Sequence, residues 1–265
     1  MLKNSHEEIS ILMENLEYNE FFVHYQPIVD AATYEIRWIE ALARWNSPIA
    51  GTVSPDKFIP VLEEKLHIIP VGMHILKKAC MQLKRWYSNG CTNSGISVNV
   101  SSLQLQQHNF AEAVVTTLHE FGLKPHNLVL EITESLKLMG NEHALQTLKV
   151  LKEMGIRISI DDFGTGYNCL KCLQEFEFTS IKIDRSFVAN MGNNRCKIII
   201  DSIISLGHRI GVKVIAEGVE TIEQCNQLKH MGCDMLQGYY FYLPSPAEEL
   251  SLLLKNDFIN KSMVQ

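Results

Sequence analysis

The chain has 265 residues, 46% of them hydrophobic and 20% charged, with 8 Pro and 15 Gly spread thinly. This excludes a disordered, collagen-like or low-complexity protein. With 24 basic against 30 acidic residues the formal net charge is −6, which argues against bulk attraction to duplex nucleic acid or to an anionic membrane.

The opening residues MLKNSHEEISILMENLEYNE lack the order of a signal peptide, and no apolar run is long enough to span a bilayer. A cytoplasmic chain, or the cytoplasmic domain of a larger regulator, is expected. Residues 1–15 read as a helical lead-in, 16–255 as one domain and 256–265 as a tail. Within the domain, strand-like runs fall at 21–29, 36–42, 95–100, 127–133, 156–162, 180–184, 213–217 and 235–241. Most are rich in Val and Ile, as expected of strands buried on both faces.

Helical stretches lie between the runs. Ser54 and Pro55 read as N-cap and first residue of a helix over 55–66. Thr221 with Gln224 forms a capping box before a helix closed by Gly232, and Ser245, Pro246 and Glu248 repeat the start signal for the last helix. Only Asp30 to Glu35 separate the first two strands, too few for a parallel crossover, so these form an antiparallel hairpin. The remaining βα units close into a modified (β/α)8 TIM barrel, an α/β fold with the first strand antiparallel. An open doubly wound sheet is the rival, weakened by the lack of a Gly-rich phosphate loop after an early strand.

The seven Cys are odd in number and scattered, which suits reduced thiols. Only Cys169 and Cys172 fall at a metal or redox spacing, and they read as two small core-filling thiols.

Polar residues sit at the C-terminal end of nearly every run after the first: Glu40, Asn99, Glu131, Asp161 with Asp162, Lys182, Glu217 and Gln237. In a barrel those ends share one face, so five carboxylates converge on one mouth. Each acid alone is more often a cap or a surface ion pair, but their recurrence on successive strands is hard to produce by accident. Unpaired, the acids would raise one another's pKa. An all-oxygen set of Glu, Asp and Asn selects a hard ion such as Mg²⁺ or Mn²⁺, and adjacent Asp161 and Asp162 suggest two ions sharing a carboxylate. Such a pair serves phosphoryl displacement, with Lys182 either orienting water or simply neutralising the cluster.

Several motifs resemble the EAL-domain cyclic di-GMP phosphodiesterases. Glu40-Ala41-Leu42 followed by Ala43-Arg44-Trp45 looks like the signature of that family. The likeness continues through Tyr25-Gln26-Pro27-Ile28, Ser97-Val98-Asn99-Val100-Ser101, Leu130-Glu131-Ile132-Thr133-Glu134 and Asp161-Asp162-Phe163-Gly164-Thr165-Gly166-Tyr167. It closes with Ile181-Lys182-Ile183-Asp184, Ala216-Glu217-Gly218-Val219-Glu220 and Gln237-Gly238-Tyr239.

The resemblance implies hydrolysis of one 3′–5′ phosphodiester of cyclic di-GMP to linear pGpG. Two divalent cations, Mg²⁺ or Mn²⁺, would serve, and Ca²⁺ would inhibit. Glu40, Asn99, Glu131 and Asp161 would hold one ion, and Asp161 would be shared with a second ion bound by Asp162. Lys182, Glu217 and Gln237 would line the water and metal shell, and Glu134 would brace the loop after Asp162. Arg44 would meet a substrate phosphate, with Gln26, Leu42 and Asp184 also on the substrate side. A homodimer formed through the region after the Asp161-Asp162 loop is a further implication. Two positions depart from the family pattern, Trp38 and Leu66, each where Gly is common. The alternative reading is a catalytically silent sensor of the dinucleotide, or a protein-docking module, on the same fold.

Overall fold

The computed structural model describes residues 6–133, 141–166 and 169–254, without the side chains of Asn15 and Cys169. Strand β1 (Phe21–Asp30) turns through residues 31–35 into β2 (Ile36–Ser47), an antiparallel hairpin in which Gln26 faces Glu40 and Ile28 faces Trp38. The strands β4 (Gly95–Asn99), β5 (Leu128–Thr133), β6 (Arg157–Phe163), β7 (Ser180–Ile183), β8 (Lys213–Ala216) and β9 (Met235–Leu236) follow in parallel after β3 (Gly51–Val53). β1 pairs antiparallel with both β2 and β9, which closes eight strands into a barrel. The expected TIM-like barrel with its first strand reversed is therefore present.

Helices wrap the outside: α1 (His6–Leu12), α2 (Pro55–Glu64), α3 (Ile68–Ser88), α4 (Ser102–Leu105), α5 (Phe110–Glu120), α6 (Glu142–Glu153), α7 (Cys169–Glu175), α8 (Arg185–Ala189), α9 (Asn194–Arg209), α10 (Ile222–His230) and α11 (Ala247–Leu254). None of them is long and apolar enough to cross a membrane. Strand side chains alternate between lumen and helices. Ile96, Val98, Leu128, Leu130, Ile158, Ile160, Ile181 and Ile183 point outward and are buried under the helices. Full burial of each such side chain contributes about 1.5–3 kcal/mol. Around the hairpin, Trp45 stacks on Phe21 at 5.7 Å and Tyr25 meets Trp86 of α3 edge-on at 5.0 Å.

The lower lumen is a separate small core of Ile28, Ile215 and Met235, with Trp38 packed against it. The Arg157 guanidinium lies 4.8 Å from the Trp38 ring centroid. Gly95 is what admits the indole: a Cβ there would fall 2.0 Å from Trp38 Cζ3. The Trp38 departure from the family pattern is thus accommodated by a neighbouring glycine in register with it.

Several sequence expectations need correction. β2 runs on to Ser47 and pairs with β3, a three-residue strand too short to show alternation in sequence. The last strand stops at Leu236 rather than 241, because the chain turns at Gly238 against the backbone of Val219. Residues 55–66 are helical only to Glu64, and Ser54 makes no side-chain cap. Leu66 instead takes a left-handed conformation, φ +60°, which explains why glycine suits that place. Ser245 does not cap α11 either: its backbone bridges Tyr25 in both directions, at 2.8 and 3.1 Å, and lays the returning chain on β1. The Thr221–Gln224 capping box forms as expected.

Candidate active site

The side chains two residues above the lower lumen are polar on every strand. Lys182 of β7, wholly buried, places its Nζ 2.7 Å from Glu217, 2.8 Å from Glu131, and 3.3 Å from both Glu40 and Asp161. One ammonium thus holds four carboxylates from four other positions of the barrel. Glu40 receives two amide donors as well, Asn99 Nδ2 at 2.8 Å and Gln237 Nε2 at 2.6 Å. Gln237 also donates to Gln26 Oε1 at 2.9 Å, and Gln26 Nε2 donates to the Tyr242 carbonyl at 3.0 Å. The returning loop therefore orients Glu40 through two glutamines.

Adjacent residues on a regular strand point to opposite faces, yet Asp161 and Asp162 both belong to this cluster. The β6–β7 register slips between Ile160 and Phe163, and Asp162 takes φ +53°. That bulge, with Asp162 N donating to Asp161 Oδ1 at 3.0 Å, brings two neighbouring carboxylates to one mouth. A non-glycine in this conformation is strained, and such strain gathers at functional sites.

The electrostatics follow from burial and crowding. Burial pushes Glu131 up, and the Glu40 charge carries it well above the carboxylate range. Burial likewise raises Asp161, lifts Glu217 to about 8, and together with the Asp161 and Asp184 charges lifts Asp162 to about 6. Burial opposes the charge on Lys182, but Asp161, Glu131, Glu217 and Glu40 outweigh it and hold the ammonium well above its ordinary range. For Glu40 burial is outweighed by Lys182 and the two amide donors, so its carboxyl lies below its usual value.

Two triads of carboxylate oxygens lie close enough to hold one ion each: Glu40, Glu131 and Asp161, and then Asp161, Asp162 and Glu217. They share Asp161. Fully ionised, five carboxylates and one ammonium leave four negative charges, which two divalent cations cancel. The donor set is all oxygen, so it fits hard cations. Glu217, expected only in the surrounding shell, enters the second triad directly.

The remaining expected residues fall as follows. Arg44 is half-buried near the mouth, within electrostatic reach of Glu40 and Tyr239, while its Nη1 donates to the Ala43 carbonyl at 2.9 Å. Leu42 is half-buried on the same strand. Asp184 caps α8, its Oδ1 accepting from Ser186 N at 3.0 Å and from the Ser186 hydroxyl. Glu134 lies outside the described residues. Cys172 is buried. One participant had no place in the sequence reading: Tyr242 acts through a backbone carbonyl and leaves no side-chain signal.

Comparison with known proteins agrees with this geometry. The EAL domain family model matches residues 9–244. The chain is 36% identical over 254 residues to the bifunctional diguanylate cyclase/cyclic di-GMP phosphodiesterase MucR of Pseudomonas aeruginosa, covering 94% of this chain and 37% of that protein. It is 38% identical over 240 residues to the oxygen sensor protein DosP of Escherichia coli, covering 90% and 30%. The chain thus spans about a third of the length of these curated relatives. Among solved structures, the MucR phosphodiesterase in complex with c-di-GMP superposes with a TM-score of 0.86 at 36% identity, over 92% of this chain and 99% of that one. The EAL enzyme Bd1971, in its form bound to cAMP and cyclic-di-GMP, gives 0.86 at 33% identity over 94% and 68%.

Proposed function

Because the chain belongs to the EAL domain family, we propose that it hydrolyses one 3′–5′ phosphodiester of cyclic di-GMP to linear pGpG with two divalent cations, Mg²⁺ or Mn²⁺. The observation that carries this reading is the pair of carboxylate triads sharing Asp161 beside a buried Lys182.

In this reading Glu40, Glu131 and Asp161, with Asn99, hold one cation, and Asp161, Asp162 and Glu217 hold the other. Bound there, the cations supply Lewis acidity toward the phosphate and lower the pKa of water to neutral range. Lys182 holds four carboxylates in place before substrate arrives, and offers positive charge where negative charge develops. Gln237 and Gln26 hold Glu40 in its rotamer. Arg44 pairs with the second phosphate, and Leu42 covers the substrate from β2. Asp184 contributes to the substrate side through the position of α8 and its charge near Asp162. Glu134 braces the loop after Asp162, and a homodimer forms through the region beyond that loop.

The test is incubation of the purified protein with cyclic di-GMP and Mg²⁺ or Mn²⁺, followed by separation of nucleotides. Linear pGpG that disappears on chelation and returns with either ion is expected, and Ca²⁺ should not sustain turnover. A protein that binds the dinucleotide with every ligand in place but never cleaves it would be a sensor instead.

A further inference from the structure

Beneath the carboxylate cluster the lumen contains a small, partly open chamber of about 50 Å³, whose lining also includes the exposed residues Arg157 and Lys213. Its walls include Ser97, Val129, Ser180 and Ile215, with Glu131 on one side and Trp38 on another. Space for a single water centre needs only about 10–15 Å³, so the chamber holds at least one. Dry cavities are apolar, and this one is not. Ser97 is 1% exposed, and its Oγ has no hydrogen-bond partner among the described residues. A buried hydroxyl left in that state has lost its hydration with nothing in the protein to replace it. Glu131, 1% exposed, has Lys182 as its only cationic contact among the described ion pairs.

We infer that an ordered water occupies this chamber, bridges Ser97 Oγ and the Glu131 carboxylate, and makes Ser97 a positioning residue for the upper cluster. The water takes a hydrogen bond from the serine or gives one to it, and donates to Glu131. The carboxylate thereby gains a donor from below without giving up its upward face. Trp38, whose indole is covered by Arg157 at 4.8 Å, narrows the chamber on the side of the lower rim, and the water is held by Ser97 and Glu131.

This inference rests on the proposed cation sites only for its effect on affinity. The test pairs a high-resolution crystal structure of the metal-free protein with calorimetric titration of Mn²⁺ into wild type and Ser97→Ala, without substrate. Density for a water within hydrogen-bond distance of both Ser97 Oγ and Glu131 is expected, and it should be lost in Ser97→Ala. Removing a partner that orients a metal ligand typically weakens binding about 10–100-fold, so Ser97→Ala should bind Mn²⁺ about 10-fold more weakly with little change in melting temperature. A dry chamber in wild type overturns the water. Unchanged Mn²⁺ affinity in Ser97→Ala overturns the positioning role. Wild-type protein that binds no Mn²⁺ would remove the cation reading, and the crystallographic density would then decide the bridge by itself.

Discussion

The two halves of the barrel lumen are built from the same strands and differ by one step of two residues. Trp38 is followed by Glu40, Val129 by Glu131, Ser180 by Lys182, Ile215 by Glu217 and Met235 by Gln237, while reversed β1 offers Ile28 below and Gln26 above. The lower half gains stability from packing. The upper half gathers buried charges whose desolvation opposes folding and which only a full set of partners can hold. Stability and chemistry are thus separated along the barrel axis by less than 7 Å of strand.

Substitutions in the two halves should therefore fail differently. The largest effect belongs to Glu40→Ala, which removes a carboxylate from the first triad and the acceptor of two amides. Its kcat on cyclic di-GMP should fall on the order of 10³-fold, and wild-type turnover would contradict the assignment. Lys182→Met leaves four buried carboxylates without their ammonium. Urea unfolding of the metal-free variant should show a loss of about 3–5 kcal/mol, part of it recovered in saturating Mn²⁺.

Below the cluster, Trp38→Ala should cost about 3 kcal/mol of stability while kcat stays within a few-fold of wild type. A collapse of kcat at unchanged stability would show that the halves are not separable.

A smaller effect follows from pH. Burial raises Asp162 to about 6 and Glu217 to about 8, both above their unfolded values. Protonation of such groups favours the folded state, so their contribution is complete below the unfolded carboxylate pKa and is lost as pH rises through the folded ones. The melting temperature of metal-free protein should fall across that interval, and Mg²⁺ should flatten the slope. A metal-free protein that grows steadily more stable from pH 6 to pH 8 would contradict these environments.

The smallest effect lies outside both halves. Leu66→Gly relieves a left-handed residue and should raise stability by about 0.5–1 kcal/mol with activity unchanged, as read by thermal melting.

How much of this was legible in the sequence depended on whether a feature was periodic. The upper cluster could be read because its members fall near the ends of successive apolar runs and the inward-facing polar position recurs seven times around the barrel. The reversed first strand could be read because a loop from Asp30 to Glu35 cannot reach across a helix. The bulge that turns Asp162 toward Asp161 could not, since only the register with β7 reveals it. The end of β9 also escaped, because Gly238 looks like the middle of an apolar run until Val219 is placed against it. Ser245 read as a helix cap for a similar reason: its partner, Tyr25, lies at the other end of the chain.

The antiparallel pairing of β1 with β2 has a consequence for the order in which the molecule comes into being. Gln26 and Glu40 can meet within a single local hairpin, which forms in microseconds. Lys182 is separated from Glu40 by 142 positions and Gln237 by 197. A ribosome therefore delivers Glu40, Glu131 and Asp161 before the ammonium that reconciles them, and the strand that closes the cylinder against β1 comes last of all. Until then the nascent acids stay hydrated or protonated, and the chain cannot commit to its interior.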